Sequence, residues 1–239
     1  MTKNMIEVKS VTKRFGEFIA VDDISFEVKK GEIFAFLGPN GAGKSTTIKM
    51  LTTMLRASDG KLLLAGHDVA HEQASARKAF GIVFQDPSLD EELSAYENME
   101  LHASLYGIKP SVRESRIKQL MELVELWSRK DSMIKTYSGG MRRRLEIARG
   151  LLHEPKILFL DEPTLGLDTQ TRNLMWDYVK KLSDEKDMTI FFTTHYLDEA
   201  EAVAERIAII DHGKIIAVGT TAQLCKQTGT KSLEDAYLK

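Results

Sequence analysis

An α/β fold with a mainly parallel sheet is predicted by three observations. The stretch Gly38-Pro39-Asn40-Gly41-Ala42-Gly43-Lys44-Ser45 has the phosphate-binding loop pattern G-x-x-x-x-G-K-[ST], set between a short apolar run and a helix-forming segment. Apolar runs of about four or five residues alternate with amphipathic stretches over most of the chain, the pattern of buried strands covered by helices. Between residues 94 and 135 the alternation stops and only helical spacing remains, which reads as an inserted helical subdomain.

The bulk numbers set bounds. At 239 residues the chain is long enough for one large domain, or for one domain with an inserted unit. Hydrophobic residues make up 43% and charged residues 28%, enough for a sizeable core. A net charge of −2 gives no electrostatic case for binding nucleic acid. The lone cysteine, Cys225, excludes an internal disulfide and fits a reducing compartment. Met1-Thr2-Lys3-Asn4-Met5 leads straight into an alternating segment, unlike a secretory leader. No apolar run approaches the ~18 residues of a membrane span, so any spanning part is expected on another chain.

In chain order, residues 6–8 alternate and read as a first strand. Residues 19–28 hold a second, with Ile24, Phe26 and Val28 on one face. Spacing alone makes Phe15 an ordinary core aromatic. Residues 33–37 form a buried strand, and residues 46–55 open a helix after the loop. Backbone N–H groups and the helix dipole make that junction an anion site, with Lys44 reaching phosphate and Ser45 placed for Mg²⁺. Residues 61–64 and 81–84 read as strands, with a short helix over 73–79 between them. Gln85 ends the latter strand and Pro87 must leave it.

In the helical region Ile117, Leu120, Met121, Val124 and Trp127 give one apolar face, opposite Arg113, Glu114, Lys118, Glu122 and Glu125. Helices follow over 140–152, 169–182 and 197–204. Strands follow over 157–160, 189–192 and 207–210, with a turn at 211–214 into a last strand over 215–218. Arg142, Arg143 and Arg144 read as a solvated helix face. Residues 233–238 read as a terminal helix.

A second chemical cluster lies at the end of strand 157–160. Asp161 and Glu162 stand where open α/β sheets bind ligands. Asp161 suits a hold on Mg²⁺ and Glu162 a base toward water. Taken singly, Ser138-Gly139-Gly140 is a capped glycine turn, Asp168 a helix cap, and His195 an unremarkable strand-end histidine.

Taken together and in order, these residues resemble the ATP-binding subunit of an ABC (ATP-binding cassette) transporter, over essentially the whole chain. Phe15 matches the aromatic that stacks on adenine, and residues 38–45 match the Walker A loop, with Thr46 beside it. Gln85 matches the glutamine joining the helical subdomain, and Ser138-Gly139-Gly140 the signature. Residues 157–161 match Walker B and Glu162 the catalytic glutamate. Asp168 matches the D-loop aspartate and His195 the switch histidine. Two departures stand out: Tyr137-Ser138-Gly139-Gly140-Met141 replaces the usual Leu-Ser-Gly-Gly-Gln, and Phe15 replaces a commoner tyrosine.

The resemblance implies a core over 1–85 and 154–239, with an antiparallel β-subdomain on the N-terminal side, and a helical subdomain over about 86–153. It implies ATP and Mg²⁺, with Ser45, Gln85 and Asp161 on the metal side. Lys44, Gln85, Glu162 and His195 would serve hydrolysis. The partners implied are a second copy or a homologous cassette, in a head-to-tail ATP sandwich, and a membrane subunit on a separate chain. The working place would be the cytoplasmic face of the membrane. The signature is similar to drug-resistance and type-2 exporters, so export is expected. Residues 86–96, with Phe84, Leu89 and Leu93, are the expected dock for the membrane subunit, and Phe84 itself is expected in the core. The rival expectation is a soluble ABC ATPase acting on nucleic acid or ribosomes, against which the chain shows no basic tail and no sustained heptads.

Overall fold

The computed structural model describes residues 3–239, so Met1 and Thr2 of the N-terminal segment lie outside the described residues. The chain opens with a long antiparallel hairpin, β1 (Asn4–Phe15) and β2 (Phe18–Lys29). Both strands run further than alternation suggested. Register shifts interrupt the period where Ser10 and Asp23 take positive φ of 47° and 49°, which breaks the alternation without ending the pairing. With β4 (Asp59–Leu64) and β5 (His67–Asp68) the hairpin makes a four-stranded antiparallel sheet in the order β2-β1-β4-β5.

The second sheet is built from β3 (Ile33–Leu37), β6 (Phe80–Val83), β7 (Ile157–Asp161), β8 (Thr189–Thr194), β9 (Arg206–Asp211) and β10 (Lys214–Gly219). Its order is β10-β9-β3-β8-β7-β6, parallel throughout except that β10 runs back against β9. The period of two along β3 explains why its five residues are all apolar. Phe34 and Phe36 face the antiparallel sheet, packing against its Phe26 and against Phe191 of β8 at centroid distances of 5.4–5.8 Å. Ala35 and Leu37 face the other way, toward the helices. Each fully buried phenylalanine contributes about 2–3 kcal/mol.

The helices are α1 (Lys44–Leu51), α2 (Gln73–Ala79), α3 (Ala95–Leu105), α4 (Pro110–Leu123), α5 (Gly139–Gly150), α6 (Thr169–Lys186), α7 (Leu197–Val203), α8 (Thr221–Thr228) and α9 (Leu233–Leu238). Helix α1 stops at Leu51, short of the expected 55. Thr53 turns to positive φ, and the amides of Met54 and Leu55 fold back onto the Lys49 carbonyl. Helix α3 opens with a reciprocal cap between Ser94 and Glu97, which stabilises the start by about 1 kcal/mol. The expected apolar face of α4 is buried, although Trp127 falls beyond the helix in a short 3-10 turn and is only partly covered. These side chains join Leu158, Leu160 and Ile190 in one continuous core, so the helical region packs directly on the main sheet.

Two expectations are corrected. Arg142, Arg143 and Arg144 are not a solvated face: Arg143 is 7% exposed and bonded to interior carbonyls, and Arg144 donates to the Val124 carbonyl at 3.0 Å. A helix turns about 100° per residue, so three consecutive arginines meet three surroundings, and only one of the three directions leads into the core. Phe84 is half-buried rather than core. It lines an apolar groove of about 360 Å³ with Met54, Phe80, Ile82 and Tyr106.

Candidate active site

The parallel register gathers the site. Leu37 lies beside Thr194, Asp161 beside Thr193, and Val83 beside Leu160. The segments that follow β3, β8, β7 and β6 therefore leave the sheet along one edge. They carry Gly38, His195, Glu162 and Gln85, the place where open parallel sheets receive ligands.

The loop between β3 and α1 wraps tightly. A Cβ on Gly38 would stand 2.2 Å from the Ile210 carbonyl, and one on Gly43, at φ +105°, would stand 2.7 Å from the Ala20 carbonyl. Glycine is required at both places, and the tight turn exposes the first amides of α1. The Lys44 ammonium, 4% exposed, donates to the carbonyls of Gly38 at 2.7 Å and Pro39 at 3.0 Å. It also stands 3.2 Å from Glu162 Oε1.

The acidic pair is held from β8. The Thr193 hydroxyl donates to Asp161 Oδ1 at 2.6 Å and accepts the Glu162 amide at 3.0 Å. Ser45 Oγ reaches the same Asp161 oxygen at 3.3 Å. Glu162 has φ 45°, a left-handed backbone that costs a non-glycine residue about 1–3 kcal/mol and aims its side chain into the cavity. Its other oxygen, Oε2, lies 3.1 Å from His195 Nδ1.

Lys44, Ser45, Glu162 and His195 line a cavity of about 550 Å³. Asn40, Gly41, Gly43, Lys44, Ser45 and Thr46 form its floor, Gln85, Glu162 and His195 one side, and the hairpin tip the other. Gly38, Pro39 and Ala42 shape the loop from behind instead of lining the space. Phe15 is 49% exposed on the wall, and the core reading from spacing is corrected. It pairs across the two-residue turn with Phe18, 66% exposed, which also lines the cavity and was not singled out in the sequence. Gly16 between two aromatics is the hairpin signal that would have found it. Thr193, also missed, had only its place opposite Asp161 to mark it. A wider depression of about 750 Å³ beside the end of α1 is lined by none of the expected site residues, so size does not locate the chemistry.

Asp161, 4% exposed and 3.3 Å from Ser45 Oγ, does not line the space itself, and four further expected residues lie apart from it. Ser138 caps α5, accepting the Met141 amide at 3.3 Å, and it is exposed together with Gly139. A Cβ on Gly140 would stand 2.3 Å from Thr171 Cγ2, so glycine lets the start of α5 approach the start of α6. There Asp168, also exposed, accepts the Thr171 amide at 3.0 Å and hydroxyl at 2.6 Å. Those bonds, the hydroxyl first, hold the Asp168 carboxyl below its usual range.

A glycine-wrapped lysine loop facing a strand-end Asp-Glu pair and a histidine defines a nucleotide-hydrolysing α/β protein of the phosphate-loop class. The ABC transporter family model matches residues 21–165, and the chain belongs to that family of ATP-binding ATPase cassettes. It is 44% identical over 228 residues to the daunorubicin/doxorubicin resistance ATP-binding protein DrrA of Streptomyces peucetius, covering 95% of this chain and 69% of that protein. Among solved structures, an ATP-binding subunit of an ABC transporter superposes with a TM-score of 0.88 at 30% identity, covering 98% of both chains. A dimeric post-hydrolysis state of the cassette MJ0796, bound to ADP and phosphate, superposes with a TM-score of 0.81 at 28% identity, covering 90% of this chain and 98% of that one. Among the described residues no helix is long and apolar enough to cross a membrane.

Proposed function

We propose that the chain drives export through a separate membrane subunit, by closing on a second copy, or on a homologous cassette, around ATP. The observation that carries this reading is the separation of two chemically matched surfaces on one protomer. Lys44, Glu162 and His195 converge in the cavity, while Ser138, Gly139 and Asp168 lie exposed outside it. A head-to-tail pair brings the second set of one copy over the cavity of the other, and the dimeric MJ0796 cassette supports such pairing. The division into a core, 1–85 with 154–239, and a helical unit over about 86–153 is part of this proposal.

The cavity fits ATP and Mg²⁺. Phe15 offers a face to the base, and the amides around Gly41 to Thr46 and the Lys44 ammonium suit phosphate oxygens. Ser45, Asp161 and the Gln85 side chain offer the hard oxygen donors that Mg²⁺ takes. Bound there, Mg²⁺ would neutralise phosphate charge. Glu162 takes the proton of the attacking water as its oxygen bonds to the γ-phosphorus and the bond to ADP breaks. His195 Nδ1 stands 3.1 Å from the Glu162 carboxylate, and with both ring nitrogens protonated the ring donates there and to the phosphoryl group. Lys44 stabilises charge on the oxygens in flight. Ser138 and Gly139 of the second copy close over the γ-phosphate, so the closed state reports ATP.

The groove walled by Phe84, Met54 and Tyr106 begins one residue before Gln85; of the residues expected at the dock only Phe84 lines it, and Leu89 packs on the core instead. The groove suits a short apolar helix of the membrane subunit, which would hold the chain at the cytoplasmic face. Export follows the resistance role in the name of the DrrA relative. The net charge of −2 speaks against a nucleic-acid role. The test is Glu162→Gln: it should keep ATP binding, lose at least about 100-fold in turnover, and run as an ATP-dependent dimer on a sizing column. A variant that stays monomeric at saturating ATP contradicts the paired site.

A further inference from the structure

Arg143 lies in the interior, 7% exposed, at the fourth residue after the Ser138–Gly139 junction that opens α5. A buried guanidinium needs a counter-charge and acceptors for its remaining donors. The counter-charge is Glu146, one turn along the same helix and 2% exposed, with its Oε2 at 3.0 Å from Nη1. The acceptors are backbone carbonyls of two loops. Nε donates to Pro163 at 2.8 Å and Nη2 to Glu162 at 3.3 Å, both in the loop after β7. Nη1 donates to the Phe84 carbonyl, and Nη2 reaches that of Gln85 at 3.5 Å, in the loop after β6. The other Glu146 oxygen accepts the Ser88 amide at 2.7 Å and hydroxyl at 3.1 Å, and so holds the far end of that second loop. One ion pair therefore fastens α5 to the backbone beside both Gln85 and Glu162.

The charge pair itself adds little net stability, because apolar residues of similar volume commonly replace a buried ion pair without loss. What it adds is direction. The Glu162 side chain is aimed by a left-handed backbone at φ 45°, and an anchored carbonyl keeps that peptide from relaxing. We propose that Arg143, held by Glu146, is a positioning residue for hydrolysis. It fixes the peptides that aim Glu162 and Gln85, and ties them to the helix that presents Ser138 and Gly139. The inference rests on reading Glu162 as the base.

The test measures kcat and KM for ATP, nucleotide affinity and melting temperature on the full chain. Arg143→Met should lower kcat by about 10- to 100-fold, the effect of an ångström-scale misplacement, with KM changed by less than about 2-fold. It should also melt early, because Glu146 loses its counter-charge. Arg143→Met/Glu146→Leu removes both charges, and should recover the part of the melting temperature lost to the unpaired Glu146 while kcat stays low. Recovery of kcat together with stability would show a merely structural pair and overturn the proposal. Glu162→Gln separates the two readings. Wild-type turnover in that variant defeats the assignment of the base. An inactive Glu162→Gln beside a fully active double variant defeats only the role of Arg143.

Discussion

Replacing Thr193 by valine isolates the hydroxyl that aligns both acids while keeping the shape of the side chain. Thr193 is fully buried. Its hydroxyl makes a 2.6 Å bond to the Asp161 carboxylate and accepts the Glu162 amide at 3.0 Å. A bond to a charged acceptor contributes about 1.5–3 kcal/mol. The amide keeps a second acceptor, the Thr193 carbonyl at 3.2 Å, so its loss adds little. The new methyl returns up to about 0.8 kcal/mol of burial. The net is a destabilisation of about 2 kcal/mol, or about 4–8 °C for a chain of this size. Asp161 also loses the group that fixes its direction toward Ser45, which should raise the Mg²⁺ needed for half-maximal turnover about 10-fold. Calorimetry and ATPase titrations with Mg²⁺ read the two effects. A melting temperature within about 1 °C of wild type, with unchanged Mg²⁺ dependence, would refute the reasoning.

Two further outcomes are expected. His102 is half-buried against Arg149, with Nε2 3.3 Å from the guanidinium, and burial first, then that charge, pulls its pKa down to about 4. The unfolded chain, with a histidine pKa near 6.5, then binds more protons between these values. Stability should fall as pH drops from about 6.5 to about 4, by at most about 1–2 kcal/mol once solvent around the half-exposed ring is counted. His102→Gln should flatten that slope in urea melts, and an unchanged slope would remove His102 as its source. Phe15→Ala should weaken ATP binding about 10-fold by loss of stacking while leaving the melting temperature unchanged, since the ring is half-exposed. Fluorescence titration reads the affinity, and an unaltered dissociation constant would place the base elsewhere.

Most of the sheet was legible because β3 and β7 are buried on both faces and so appear as unbroken apolar runs. Helix α2 matches its expected bounds. Alternation marks only part of the antiparallel hairpin, because positive φ at Ser10 and Asp23 shifts its register. Helix α8 carries local signals of its own, a reciprocal cap between Thr220 and Gln223 and a closing Gly229 at φ 68°. The chemistry of the phosphate loop and the Asp161-Glu162 pair was local and therefore readable. Arg143 was not, because its partners are carbonyls on loops about 20 and 60 residues away in sequence, which composition cannot reveal. Phe15 needed the hairpin to close before its exposure could be known.

The paired site is tested most directly by mixing two inactive variants, Lys44→Ala and Ser138→Asp. Aspartate still caps α5 but repels phosphate. In a head-to-tail pair of one of each, one site carries both lesions and the other carries neither. A 1:1 mixture should therefore recover up to about a quarter of wild-type ATPase activity, since about half the dimers are mixed and each holds one intact site. A mixture as inactive as its components would contradict a site shared between copies.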